Sequence, residues 1–404
     1  MVFKLAWRNI WRNKRRTIIT ASSIAFAVMF AGFMSAIQEG SWDHMINNVV
    51  SSYTGNIQIH KKGYWDSPSI NDLTQEKELS MVKDLSENID IAVPRLESFA
   101  LLTTGENTRG TMVVGIDTEK EDLFSNMSDK VKNGTFLNAG DEGVLMGDRL
   151  AELVGAEIGD TIILISQGYR GVNAVGKYPL RGTTHFPTPQ LNRSLVVMTL
   201  EKAQAFYGAE ELISALVLKS SPLGVEDRVT QSLVSSLDTS SLEIMTYKEL
   251  MPELIKSKQI DASGNYIIFF ILYMIIAFGI FGTILMMLKE RQYELGVLNS
   301  IGMEKRRLFF MVWWELIILA TIGIVIGLIF AFGLSYYFYV NPIVLTGELA
   351  DAMEKFEFDA IMPASIEPRL FIWQAIVVYF ICLIIILFPF FHIRNINPVK
   401  AMRE

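Results

Sequence analysis

Hydrophobic positions in this chain follow two regimes. Over 17–37, 267–288, 308–339 and 370–391 apolar residues run on with few charges, each long enough to cross roughly 30 Å of hydrocarbon as a helix. The third run is longer than a crossing needs, so it is predicted to tilt or protrude. Everywhere else apolar residues alternate or recur every three to four positions, as in a folded domain. The first run could in principle be the core of a cleaved leader. "GFMSAIQEG" offers only a weak small-residue cleavage site, so it reads as a retained anchor.

The segment 38–266 carries two similar layouts. In the first, "NIQIH" predicts a strand, Glu78–Asn88 a helix and "IAVPRLESFALLTTG" one or two strands. In the second, "ISALVLK" predicts a strand, "PLGVEDRVTQSLVSSL" an amphipathic helix and "LEIMTY" a strand. Two β-α-β halves with an insertion between them suggest one split subdomain. The insertion, about 117–205, is Gly-richer; it predicts strands at "EGVLMG", "DTIILIS" and "RSLVVMT", a helix at "DRLAELVGA", and hence a second, β-rich subdomain. From Lys248 to Ser263 the pattern is helical and is predicted to run straight into the second span.

Charge orients this arrangement. Lys4, Arg8, Arg12, Lys14, Arg15 and Arg16 precede the first span; Lys289, Arg291, Lys305, Arg306 and Arg307 lie between the second and third. Arg394, Lys400 and Arg403 follow the fourth, whereas 340–369 is acidic. Positive residues mark the inner side, so both termini and 289–307 are predicted cytoplasmic, with 38–266 and 340–369 outside. The predicted fold class is an α-helical membrane protein: four transmembrane helices, with a large α+β extracytoplasmic domain between helices 1 and 2. Around it stand a basic amphipathic segment, 1–16, and a tail, 392–404.

Composition narrows the chemistry. The region 38–263 holds 32 acids against 20 bases, which argues against nucleic acid as a partner. The one cysteine, Cys382, lies within the fourth span, so the outer domain must be held by its own core. His44, His60, His185 and His392 are scattered, and neither a metalloprotease helix nor a G-x-S-x-G elbow is present. "GVNAVGKY" at 171–178 nearly matches the phosphate-binding pattern G-x-x-x-x-G-K-[S/T]. Tyr178 takes the place of the hydroxyl that would hold Mg²⁺, and Pro179 opposes a helix start. With its flanks the stretch reads as a Gly-rich hairpin. No catalytic, cofactor or metal residue is assigned.

The rims and span interiors leave some alternatives open. Phe3, Leu5, Trp7, Ile10 and Trp11 among basic residues suit a helix lying on the inner leaflet, or a plain anchor. In 289–307, Leu295, Val297, Leu298 and Ile301 form an apolar stretch that Gly302 ends. It could seat in a partner's groove or rest on lipid. Small residues Ala27, Ala31 and Ser35 in the first span, and Gly323 and Gly327 in the third, are spaced for close helix packing. Glu315, near the inner end of the third span, is read as snorkelling to that surface rather than serving ion transport.

In its order of span, large outer domain and three spans, the whole chain resembles the FtsX-like permease family. That family includes the MacB-type macrolide-exporter and lipoprotein-releasing permeases of type VII ABC systems. "LAWRNIWRNKRRTIIT" is similar to the family's N-terminal amphipathic helix. "RQYELGVLNSIGMEKRRLF" is similar to its loop pattern R-x-x-E-x-G, with Arg291, Glu294, Gly296 and Gly302 matching. Asn299 and Met303 depart from it, standing where many relatives have a basic and a small residue. "IRNINPVKAMRE" resembles the closing motif, with Pro398, Ala401 and Arg403 matching. "VVGIDTEKEDLF", "EGVLMGDRLAELVGAEIGDTIIL" and "NRSLVVMTLEKAQ" resemble the insertion of lipoprotein-type members.

The resemblance implies a permease subunit with a cytoplasmic ABC ATPase that binds the ATP and Mg²⁺, and a second copy or related permease. The coupling segment would be 289–307, with Arg291, Glu294, Gly296, Leu298, Ile301 and Gly302. Movement of the outer domain, not a central pore, would release lipoprotein or other lipid-linked cargo from the bacterial inner membrane. Two alternatives are a signalling scaffold that activates a cell-wall hydrolase and an exporter of drugs or peptides. Lipoprotein-type relatives hook a periplasmic carrier with a hairpin near this one, which implies docking through Tyr169, Arg170 and Asn173; the hairpin here is shorter and lacks that hook's prolines.

Overall fold

The computed structural model describes every residue except Met1, Asn13, Glu106, Pro222, Leu223, Leu349, 351–359 and 390–404, and the side chains of Val2 and Arg16. The closing motif at 393–404, His392 and residues 351–359 of the acidic loop therefore lie outside the described residues. The chain divides into a helical unit (Met1–His44, Ser257–Leu345 and Ile361–Glu404) and an α/β unit (Met45–Lys256 and Thr346–Ala360).

In the helical unit, α1 (Val2–Arg12) precedes four helices long and apolar enough to cross a membrane. These are α2 (Lys14–Val49), α7 (Pro252–Glu290), α9 (Lys305–Val340) and α10 (Pro368–Ile386). A short helix, α8 (Gln292–Ser300), stands between α7 and α9. The helix foreseen from Lys248 into the second span forms in two pieces, a turn at Tyr247–Leu250 and the long helix from Pro252 onward. Met251 leaves helical geometry at φ −125°, ψ 58°, as a residue before proline is driven to do, and Pro252 then starts α7.

Helix contacts in this unit are close where side chains are small. A Cβ on Gly327 would lie 2.6 Å from Ala25 O, and one on Gly323 would lie 2.8 Å from Ala21 O, so α9 rests almost on the backbone of α2. Polar groups add a second fastening. Tyr273 of α7 donates to Gln374 Oε1 of α10, whose Nε2 donates to Ser35 Oγ of α2 at 2.6 Å. Where 361–369 crosses α2, Ser365 N donates to Ala36 O at 2.7 Å, and Gly40 has no room for a Cβ against Pro363 O.

The α/β unit contains a ten-stranded sheet. Its strands are β1 (Ile57–Lys61), β2 (Ile89–Thr103), β3 (Thr108–Ile116), β4 (Val131–Gly134) and β5 (Val144–Gly147). They continue as β6 (Thr161–Gln167), β7 (Asn173–Thr184), β8 (Leu195–Thr199), β9 (Ala215–Ser220) and β10 (Leu242–Thr246). The order is β10-β1-β9-β2-β3-β8-β5-β7-β4, and β6 bridges β2 and β7. Helices α3 (Thr118–Ser125), α4 (Asp148–Val154), α5 (Leu200–Tyr207) and α6 (Glu226–Ser236) complete it.

The predicted halves interleave. β1 lies between β9 and β10, and β9 between β1 and β2, all antiparallel, so β1 runs parallel to β2 and β9 parallel to β10. This is the split β-α-β arrangement. The helix predicted at Glu78–Asn88 is instead one α-helical turn, Glu76–Leu79, and a 3₁₀ turn, Val82–Leu85. Leu79, Val82 and Leu85 recur strictly every third residue, the period of a 3₁₀ helix rather than an α-helix.

The insertion is joined to the split core rather than separate from it. β2, β3, β8, β5, β7 and β6 pair in a closed ring, because β6 returns to β2 through Leu101–Ile165 and its neighbours. Two of this barrel's six strands, β2 and β3, therefore come from before the insertion's expected start at 117. Leu96, Leu102, Val113, Met146, Leu164 and Val196 are fully buried in the cluster that fills the unit.

Candidate functional site

Two regions of the helical unit and one turn of the α/β unit hold the residues singled out by sequence. At one end, α7 stops at Glu290, Arg291 breaks the helix at φ −100°, ψ 1°, and α8 follows. Gly302, at φ +101°, makes the turn that a side chain would strain, and α9 restarts at Lys305. The predicted stop at Gly302 is thus present.

Arg291 and Glu294 do not share one role. Arg291 is buried, and its Nη1 pairs with Glu315 Oε2 of α9; Glu315 is 0% exposed. The expectation that Glu315 snorkels to the surface is therefore corrected: its carboxylate is met from inside by an arginine that folds back over the end of α9. Arg291 Nε also reaches Glu294 Oε2 at 3.3 Å, and Glu294 Oε1 pairs with Arg12 of α1. Leu295 and Gly296 are buried beneath α8, and Leu298 is half-buried. The exposed apolar side chains are instead Tyr293 of α8 and Ile301 at its end, 58% and 79% exposed, with half-buried Val297 between them at i, i+4, i+8. Of the six expected coupling residues, Ile301 and Gly302 are fully accessible, Glu294 is exposed but paired, and Arg291 is a buried tie.

α1 is neither a bare anchor nor free on lipid. Ala6 and Ile10 are buried, Phe3 meets Trp314 of α9 edge-on at 5.4 Å, and Trp7 and Trp11 stay exposed. One face thus packs on α9 and leaves a tryptophan-bearing face for an interface.

Ala27 and Ala31 are buried, but the residues that meet Gly323 and Gly327 are Ala21, Ile24, Ala25 and Val28. The small residues of α2 and α9 therefore lie in packed faces, with the glycines of α9 against the stretch of α2 from Ala21 to Val28. Gly327→Ala is expected to lower the thermal midpoint of the detergent-purified chain, at a cost of about 1–3 kcal/mol for overpacking. Gly333→Ala, on the same helix with nothing within 4 Å of its Cβ, is expected to be neutral or stabilising. Equal effects from the two would disprove close contact at Gly327.

Between α2 and α7 opens an apolar groove of about 540 Å³, lined by Phe30, Met34, Ile37, Ile268, Leu272 and Ile275 among others. Polar groups close one end: Trp42 Nε1 donates to Asp261 Oδ2 at 2.7 Å, and Lys258 Nζ pairs with Glu39 at 2.8 Å and Asp43 at 3.2 Å. The face of α7 beside it, with Ile267, Phe270 and Phe278, is largely exposed. The arrangement suits long apolar chains with a polar head near Asp261 and Lys258.

In the α/β unit, 166–182 is the predicted hairpin: β6 and β7 pair antiparallel around a tight turn at Tyr169–Gly171. Arg170 sits at φ +53°, its N–H donates to Asn71 Oδ1 at 2.8 Å, and its guanidinium lies 5.0 Å from the Tyr169 ring. Asn173 and Val172 are exposed, whereas Tyr169 is partly packed on the core. The near-match to a phosphate loop is mostly β7 itself; no helix follows it to present N–H groups to a phosphate.

Residues 266–398 match the FtsX-like permease C-terminal domain, and residues 17–232, more than half of the chain, match the MacB-like periplasmic core domain. The chain is 20% identical over 298 residues to the lipoprotein-releasing system transmembrane protein LolC of Neisseria meningitidis, covering 71% of this chain and 69% of that one. LolC of Xylella fastidiosa is 26% identical over 58% of this chain and 59% of its own. LolE of Haemophilus influenzae is 20% identical over 83% of each. Among solved structures, the periplasmic region of MacB from Actinobacillus actinomycetemcomitans aligns with 52% of this chain and 97% of its own, at 15% identity and a TM-score of 0.36. The extracellular domain of the transporter YknZ aligns with 48% of this chain and all of its own, at 10% identity and a TM-score of 0.35. The chain belongs to the FtsX-like family of ABC transporter permeases, in the form that carries a MacB-like periplasmic core domain after its first membrane helix.

Proposed function

We propose that this chain is the membrane subunit of a lipoprotein-releasing type of ABC transporter in the bacterial inner membrane. A cytoplasmic ATPase, which binds ATP and Mg²⁺, docks on α8, and its cycle drives release of lipid-linked cargo toward a periplasmic acceptor. A second copy, or a related permease, completes the assembly. The observation that carries this reading is the pair of accessible side chains Tyr293 and Ile301 on either side of half-buried Val297, beside the Arg291–Glu315 tie at the helix end. Apolar side chains on a short helix fit a groove on a partner. The groove between α2 and α7 supports the cargo class, because acyl chains match its lining and a charged head matches its closed end. Relatives named for lipoprotein release support the same choice.

Two measurements test the reading. Tyr293→Asp with Ile301→Asp is expected to cut ATPase co-purification by roughly tenfold or more, one such charge in a buried contact costing over ~1.4 kcal/mol. Unchanged co-purification would remove α8 as the docking element. Depletion of the chain is expected to leave outer-membrane lipoproteins in the inner membrane. Normal sorting with impaired wall hydrolysis would instead favour the signalling scaffold.

The turn at Tyr169–Gly171, with exposed Val172 and Asn173, is proposed as the carrier contact. Deleting 169–176 is expected to lose carrier binding while ATPase activity persists, and unchanged carrier binding would refute it.

A further inference from the structure

The α/β unit contains a cavity of about 250 Å³ that the transport reading leaves unused. Its walls are the rings of Tyr53, Tyr64, Trp65 and Phe99 and the thioethers of Met112 and Met251. Tyr53 lies just after α2 and Met251 just before α7, so both chain connections to the helices line it.

The polar groups here are unusual in kind. Tyr53 donates its hydroxyl to Glu97 Oε1 at 2.7 Å, and Tyr64 donates its own to Glu97 O at 3.0 Å. Gln58 Nε2 donates to Thr54 O, which also fixes which end of that amide is oxygen. These donors are therefore committed; the Trp65 indole and the Ser69 and Ser98 hydroxyls also line the cavity, and the acceptors left among the lining residues are on Gln58 and Glu97. Gln58 is 3% exposed, and its Oε1 receives no hydrogen bond among the described residues. Glu97 Oε1 is taken by Tyr53, and no described donor reaches its Oε2. A buried acceptor left alone costs about 1–3 kcal/mol, so a donor that reaches it, from water or from a ligand, stabilises the unit.

Charge points the same way. Arg95 is spent on Glu121, with Nε to Oε2 at 2.8 Å and Nη2 to Oε1 at 2.7 Å, and its Nη1 donates to Tyr53 O. It stands 3.8 Å from Glu97 Oε1 without a hydrogen bond to it. Glu121 also feels Lys130, and Glu97 meets Arg95 only at that longer range, beside aromatic faces that attract cations.

We infer that this cavity binds a primary or secondary organic ammonium with a small apolar body, its N–H groups on Glu97 and Gln58 and its body among Tyr64, Trp65 and Phe99. A quaternary ammonium lacks the hydrogen that Gln58 Oε1 requires. The ammonium could come from a free amine or from an aminophospholipid headgroup, and the chemistry is the same.

The test uses the full chain in nanodiscs of phosphatidylcholine and phosphatidylglycerol, which carry no primary amine, and isothermal titration. Phenethylamine is expected to bind saturably, one per chain, roughly tenfold tighter than 2-phenylethanol, a difference of about 1.4 kcal/mol. Glu97→Gln is expected to lose that preference while melting no lower than the wild type. Burial holds the Glu97 carboxyl above the ordinary carboxylate range, so neutralising it relieves the empty protein. Met112→Trp, which fills the cavity and leaves Glu97 untouched, is expected to abolish binding of both compounds. Competition by dihexanoyl phosphatidylethanolamine would assign the source to lipid, and its failure to compete would assign it to a free amine. Equal affinity for amine and alcohol, or no saturable binding of phenethylamine to the wild type, overturns the proposal.

Discussion

Arg95→Met is expected to cost the α/β unit about 3–5 kcal/mol, the penalty for leaving a buried partner charge alone. The guanidinium is 0% exposed and makes three hydrogen bonds, two to Glu121 and one to the carbonyl of Tyr53. It also lies 4.4 Å over the Tyr53 ring and 5.4 Å from that of Phe124. One side chain therefore ties β2 to α3 and to the turn Val50–Thr54. Without it, buried Glu121 loses both of its hydrogen bonds from a cation and keeps only the more distant Lys130, and half-buried Glu97 loses its nearest positive charge. Against a whole-domain stability of ~5–15 kcal/mol, that loss is large.

Glu121→Gln is expected to cost less, since Glu97 Oε1 is only 3.8 Å away and can take up the freed guanidinium. Arg95→Met combined with Glu121→Leu is expected to recover most of the stability, because an apolar pair of similar volume needs no desolvation. Chemical denaturation followed by Trp fluorescence would measure all three. A double variant no more stable than Arg95→Met alone would show that the tie acts through the Tyr53 carbonyl rather than through charge.

Much of this fold was legible because period and length determine it. The four spans announce themselves by uninterrupted apolar runs, and β1, β9 and β10 by short β-branched stretches closed by polar turns. The split β-α-β core followed from seeing that layout twice. What failed depended on pairing across distance. Nothing local distinguishes β2 as a strand that leaves one sheet partner, β9, for another, β6, so the barrel's use of 95–116 was hidden. The hairpin β2–β3 was missed for the same reason, although Thr108–Ile116 has strand composition.

The site was half legible. The loop 289–307 was found from charge and glycine spacing. Which of its residues face outward depends on the helix break at Arg291, and a break of that kind shifts the helical face without altering composition. One signal was available: an acidic residue, Glu315, in a span, with an arginine 24 positions before it, and a buried charge demands a partner.

That pair carries the largest functional prediction. Glu315→Ala is expected to leave Arg291 at the α8–α9 junction with no buried partner, costing up to about 3–5 kcal/mol and freeing α8 from its seat. Purified chain should melt earlier, and less ATPase should co-purify with it. Glu315→Gln keeps an acceptor for Arg291 and is expected to fall between. Exchanging the pair, Arg291→Glu with Glu315→Arg, is expected to restore part of both melting and co-purification, since the attraction survives reversal even where geometry suffers. The contrast with Ile301 separates positioning from docking. Ile301→Asp should lose the ATPase with melting unchanged, because that side chain is 79% exposed. Glu315→Ala should lose both, because it touches no partner and acts only through where α8 lies. If Glu315→Ala melts like the wild type yet loses the ATPase, the pair does not hold α8, and Arg291 must meet the partner itself.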